Sequence, residues 1–176
     1  MNILLSILLF IVVLIVFLLF LALIVKKEYT IQRDINIRKP IREVFDYVKL
    51  VKNQEQYSKW VMLDPNVKLD YRGIDGTIGF ISAWEGNKQA GKGEQEIKKI
   101  EALKLINMEV RFEKPFKNIA QINMYTTAIN ENETNVKWEM VGSNKYPMTL
   151  FNLFIDNLLG KDLSESLSNL KRILEK

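Results

Sequence analysis

Four side chains of types suited to acid–base work lie in two adjacent alternating stretches. Glu94 and Glu96 share one strand face, and Glu109 and Arg111 share a face of the next strand. A carboxylate in a dry cavity has a raised pKa and can take a proton near neutral pH. Alternation speaks against that chemistry here. Ile106, Met108, Val110 and Phe112 occupy the apolar parity, so Glu109 and Arg111 point the other way. The four charges read as a solvated cross-strand ladder. Tyr125 has the same polar parity, and Glu85 beside Trp84 also reads as a surface residue. No catalytic residue is assigned.

The chain has 176 residues and contains neither histidine nor cysteine. That removes His-dependent triads, the most frequent general base, most zinc sites, disulfides and thiol chemistry. Gly73, Gly76 and Gly79 lie in a strand–turn–strand stretch with no helix after it, so they form no phosphate or dinucleotide loop. No metal and no cofactor are expected. The 25 basic and 21 acidic side chains give a net charge of +4. They are interspersed, whereas a nucleic-acid stripe would be clustered, so nucleic acid is not an expected partner.

The second candidate chemistry is apolar binding. Trp84, Met108, Phe112, Met124, Trp138, Met140, Phe151 and Phe154 form a set rich in aromatic and thioether groups. Such side chains suit an adaptable apolar cavity, although each one alone reads more readily as core. Tyr57 and Trp60 are candidates for the cavity mouth, or for a seal over the sheet edge.

The elements that must position these residues follow from periodicity. Tyr29 to Ile37 alternates as a strand. Pro40 sits where a first helical turn tolerates it, and Ile41, Val44, Phe45, Val48 and Val51 share one helical face. A short helix around 53–59 and a turn at Asp64-Pro65-Asn66 come next. Six strands are predicted at 67–73, 77–86, 91–102, 103–113, 119–130 and 134–142, with short polar breaks that suit antiparallel neighbours. From Pro147 to Glu175 the period becomes helical, with Phe151, Ile155, Leu159, Leu163, Leu167, Leu170 and Leu174 on one stripe. Gly160 interrupts the first half of that stretch and predicts a bend or a loosened turn near it.

Ahead of all this, residues 3–25 carry no charge and one hydroxyl, Ser6. As a helix this run is roughly 35 Å long, enough to cross a hydrocarbon core of about 30 Å. No basic residue precedes it and no small-residue cleavage site follows, so a retained span is expected in preference to a cleaved signal. Lys26 and Lys27 follow directly. The positive-inside tendency then places the N-terminus outside and the globular part in the cytoplasm. The expected organisation is an anchor at 1–27 and one domain at 28–176.

The order strand, two short helices, six strands, long helix is that of the helix-grip fold. The stretch WEGNKQAGKGEQEIKKI at 84–100 carries W-x-G-N followed by G-x-G. VRFEKPF at 110–116, TNVKW at 134–138 and LFNLFIDNLLGKDLSESLSNLKRILEK at 150–176 complete an ordered set. In these residues 28–176 resembles the SRPBCC (START-like) superfamily, polyketide cyclase/dehydrase type. The resemblance implies an α+β helix-grip fold, a curved antiparallel sheet wrapped around a long C-terminal helix. It also implies a cavity between helix and sheet. Many relatives bind hydrophobic small molecules or lipids, and some are cyclases or other enzymes. Three functions are therefore expected as alternatives. The first is membrane-anchored binding of a hydrophobic small molecule or lipid. The second is an enzyme acting on an apolar substrate, and the third is a non-catalytic interaction module.

Overall fold

A computed structural model describes residues 2–176. The first element is a helix, α1 (Ile3–Ile24), whose side chains are exposed almost throughout. Ala22 is its one buried residue, and its carbonyl accepts a hydrogen bond from Thr149 Oγ1 at 2.6 Å. Three residues later the chain enters β1 (Glu28–Ile37). Helix α2 (Ile41–Lys49) and short α3 (Gln54–Tyr57) follow. Val44, Phe45 and Val48 bury the apolar stripe of α2.

Strands β2 (Lys68–Arg72), β3 (Ile81–Glu85), β4 (Lys92–Glu101), β5 (Leu105–Lys114), β6 (Asn118–Asn130) and β7 (Glu133–Ser143) then run as a meander. All pairs are antiparallel, and β1 closes against β7, giving the order β1-β7-β6-β5-β4-β3-β2. The burial pattern of β5, β6 and β7 alternates as their sequences do. The buried parity faces α2, α3 and the last helix, and the other parity faces solvent. The predicted strand at 77–86 is shorter than its alternation suggests. Thr77 to Gly79 form a turn, with positive φ at Gly76 and Gly79, and the regular ladder with β4 begins only at Ile81.

The last helix, α4 (Ile155–Leu174), lies along β1 and also meets α3. Leu163, Leu167 and Leu170 are buried beneath it, as the stripe predicts. One expectation fails here. Residues 148–153 form a 3₁₀ segment, so the α-helix starts later than its stripe. The helix runs unbroken through Gly160. A Cβ there would collide with the Arg33 guanidinium, which reaches across from β1 to bond both carboxylate oxygens of Asp156 at 2.9 and 3.0 Å. Gly160 gives the close approach that Arg33 requires.

Register fixes one further feature. Glu28 pairs with Ser143, Gly142 with Ala120, Asn118 with Phe112, Lys114 with Lys92, and Lys92 with Glu85. The start of β1, where α1 joins, therefore lies at the same sheet end as the end of β3, the start of β4 and the end of β5.

Candidate functional site

A chamber of about 300 Å³ opens between the sheet and the helices. Its walls come from that same end of the sheet. They include Tyr29 of β1, Trp84 of β3, Phe112 of β5 and Met140 of β7, with Leu159 of α4 and Trp60 after α3. The volume is at the lower end of the range for small-molecule sites, and the walls are mainly apolar.

The loop between β3 and β4 builds one wall. Trp84 Nε1 donates to the Ala90 carbonyl at 3.0 Å, and the indole meets Phe112 edge-on at 5.9 Å between centroids. Gly93 forms the floor beneath it, because a Cβ there would lie 2.7 Å from the Trp84 ring. Asn87 Oδ1 accepts from Gln89 and Ala90 backbone N–H groups, while Asp64 Oδ2 accepts from the Asn87 N–H at 2.7 Å. Gly91 takes a left-handed φ of 67° against the Lys114 carbonyl. The W-x-G-N and G-x-G residues thus hold one tryptophan at the chamber wall.

Of the expected cavity and mouth residues, the structure brings together Trp84, Phe112, Trp138, Met140 and Trp60. Trp60 stands edge-on to Trp138 at 5.7 Å. Met108 and Met124 are on the expected face but lie deeper in the strands, where the helices pack and fill the core. Parity gives a side chain's face and says nothing of its depth along the strand. Tyr57 is not at the mouth. It is fully buried, 6.0 Å from Trp138, and its hydroxyl has no hydrogen-bond partner. Burial pushes that phenol's pKa up. Trp138 is equally buried and its Nε1 is likewise unbonded. Phe151 and Phe154 are 55% and 59% exposed and do not line the chamber. The 3₁₀ turn advances about 120° per residue against 100° in an α-helix, so extending the stripe backwards misplaces both.

Sequence reasoning missed four polar lining residues, Gln54, Ser58, Ser82 and Gln95, all buried. The signal was present for one of them. Gln95 sits between Glu94 and Glu96, and so shares the inward parity of Gly93 and Ile97.

The charged ladder lies on the opposite face. Arg111 bonds Glu109 at 2.6 Å and Glu94 and Glu96 at 2.9 Å each, and Arg72 also pairs with Glu94. Burial alone raises the Glu94 pKa, but hydrogen bonds and charge from Arg111 and Arg72 outweigh it and hold the group below its ordinary value. Glu96 is held low by hydrogen bonds from Lys98 and then Arg111. These are ion-paired carboxylates, not poised bases. Tyr125 sits on the same outer face, with its hydroxyl 3.4 Å from Glu139. Glu85 pairs with Lys92 at 3.4 Å. Among the described residues, no cluster of three or more acidic side chains has metal-binding geometry.

No model of a known protein family matches the chain, and no curated protein matches it. Solved structures do. Norcoclaurine synthase from Thalictrum flavum is similar with a TM-score of 0.63 at 9% identity, over 85% of this chain and 88% of that one. The same enzyme in complex with dopamine and hydroxybenzaldehyde gives 0.61 at 9% identity, over 81% and 86%. Ara h 8.0201 gives 0.59 at 11% identity, over 84% and 97%. Protein CV1439 from Chromobacterium violaceum gives 0.60 at 10%, over 84% and 97%. At these identities the likeness is one of fold, and it agrees with the strand order and the long C-terminal helix: the chain has the helix-grip, Bet v 1-like architecture, with an apolar helix ahead of it.

Proposed function

We propose that this chain binds a hydrophobic small molecule or lipid non-covalently in the chamber, and that α1 anchors it in a membrane with the chamber end of the sheet toward the bilayer. The observation that carries the binding reading is the chamber itself. It is apolar and aromatic, and it is walled by all three tryptophans of the chain, Trp60, Trp84 and Trp138. A neighbour of the same fold holds two small aromatic molecules, dopamine and hydroxybenzaldehyde.

The anchoring reading draws on α1 and on what surrounds its base. Asn152 Nδ2 donates to the Lys26 and Lys27 carbonyls at 2.7 and 2.9 Å, so the 3₁₀ segment is tied to the end of α1. That segment and its flanks expose Tyr146, Met148, Phe151, Leu153, Phe154 and Leu158. Phe116 and Ile119, at the neighbouring strand ends, are exposed too. Exposed apolar side chains at the foot of an apolar helix suit the boundary between head groups and acyl chains. Lys114, Lys117 and Lys145 line a shallow outer groove beside them, where they would favour anionic head groups.

Native mass spectrometry of the full chain, purified from its host membrane in mild detergent, tests the binding. A stoichiometric apolar adduct is expected, and Phe112→Glu at the chamber rim is expected to lose it while the protein stays folded. A bare mass, with no uptake from a total lipid extract, would overturn the reading.

A further inference from the structure

Among the described strand residues that line the chamber, the buried ones are apolar or aromatic except at one place. Ser82 of β3 and Gln95 of β4 are direct cross-strand partners, and both line the chamber. Directly opposed side chains have Cβ atoms about 5 Å apart, so the two polar groups meet at one spot. Gln95 is 8% exposed and Ser82 is 7% exposed. Gln95 Nε2 donates to Gln54 Oε1 at 3.0 Å, which fixes the orientation of the amide. Gln54 Nε2 is occupied in turn by the Met108 sulfur at 3.8 Å. Among the described residues, no side-chain or backbone group bonds Gln95 Oε1 or Ser82 Oγ, and neither atom is fully buried.

Buried polar groups are retained where something bonds them, because leaving them unpaired is costly. Two apolar residues would serve a purely hydrophobic ligand better. We propose that Gln95 and Ser82 form a recognition point for an uncharged alcohol or phenol on the bound molecule. The chemistry selects that group. The amide oxygen of Gln95 only accepts, whereas the serine hydroxyl can donate. A ligand hydroxyl donates to the first and accepts from the second. A ketone satisfies Ser82 alone, and a carboxylate would set its charge against the Gln95 oxygen in a dry site. Lys114 is the one charged side chain in the lining, and it lies exposed at the end of β5, away from this pair.

This inference rests on the binding reading above, and the test separates the two. The full chain is reconstituted in phospholipid vesicles and titrated with bromobenzene, 4-bromophenol and 4-bromobenzoate. Bromine quenches tryptophan emission on contact, and every tryptophan lines the chamber. In the unmodified chain, 4-bromophenol is expected to quench at about tenfold lower concentration than bromobenzene, the effect of about one good hydrogen bond. Gln95→Leu and, separately, Ser82→Ala are expected to narrow that gap, weakening 4-bromophenol while bromobenzene binds at least as tightly as before. The second variant leaves the Gln54 bond in place and guards against a folding defect in the first. Equal midpoints in the unmodified chain would overturn the proposal and leave the binding reading standing. So would a gap that survives both variants, or tightest binding of 4-bromobenzoate that is lost in Lys114→Met. Failure of all three probes to quench would overturn the binding reading itself.

Discussion

At the scale of single residues, the outer-face charges make stability depend on pH. Glu94 and Glu96 have folded-state pKa values below the ordinary carboxylate value. An unfolded Glu titrates at about 4.3, so the stabilisation is complete above that pH and is lost as pH falls through the lower folded values. The urea midpoint of the full chain in mild detergent, read by tryptophan emission, is expected to fall from about pH 5 toward pH 3. Arg111→Met should flatten that fall, because the carboxylates then return toward ordinary values; an unchanged slope would show that Arg111 does not set them. Tyr57 gives a second prediction. Its hydroxyl is buried and unbonded. Tyr57→Phe is therefore expected to be neutral or to stabilise by up to about 1 kcal/mol. A clear loss in urea unfolding would mean the hydroxyl has a partner, such as a buried water.

At the scale of elements, α4 and the β3–β4 loop do different work. Leu163 on α4 is fully buried against the sheet, whereas Leu158 is 60% exposed. Leu163→Ala is expected to cost about 2–5 kcal/mol in urea unfolding. Leu158→Ala should stay within about 0.5 kcal/mol. Similar losses from the two variants would contradict the side of α4 assigned to the core. Gly93→Ala tests the loop. The added methyl meets the Trp84 ring and the Arg111 carbonyl, at 2.7 and 2.6 Å. A cost of about 1–3 kcal/mol is expected, together with a shifted Trp84 emission. The Lys161 and Glu165 spacing suggests a pair along α4, yet Glu165 instead bonds Lys59 at 2.8 Å. Ser166 Oγ accepts from the Lys59 N–H close by, so α4 is tied to the segment after α3.

At the scale of the whole molecule, the prediction concerns seating on a bilayer. The chain has no cysteine, so single labels are specific. An environment-sensitive fluorophore is placed in turn at Leu14→Cys, Phe154→Cys and Glu131→Cys, in vesicles carrying spin-labelled lipid. Quenching is expected at 14 and 154 and not at 131, which lies on the β6–β7 turn at the far end of the sheet. A label at 14 left in water would sink the anchor. Quenching at 14 with 154 in water would keep the anchor and remove the seating of the exposed apolar side chains on the bilayer.

The sequence by itself determined the order of strands and helices along the chain, the two faces of the sheet and the apolar N-terminal helix. These follow from local periodicity, which alternation and the 3.6-residue repeat write directly into neighbouring residues. It also determined that Glu109 and Arg111 face away from the core. Tertiary structure alone decided which inward residues line space and which fill it. Trp84 and Met108 have the same parity, but one stands at the sheet end over Gly93 and the other lies under α3. It also decided the outward turn of Phe151 and Phe154, the fit of Gly160 to Arg33, and the meeting of Ser82 with Gln95. Each of these depends on where a second, distant segment comes to rest, and no pattern within one segment encodes that.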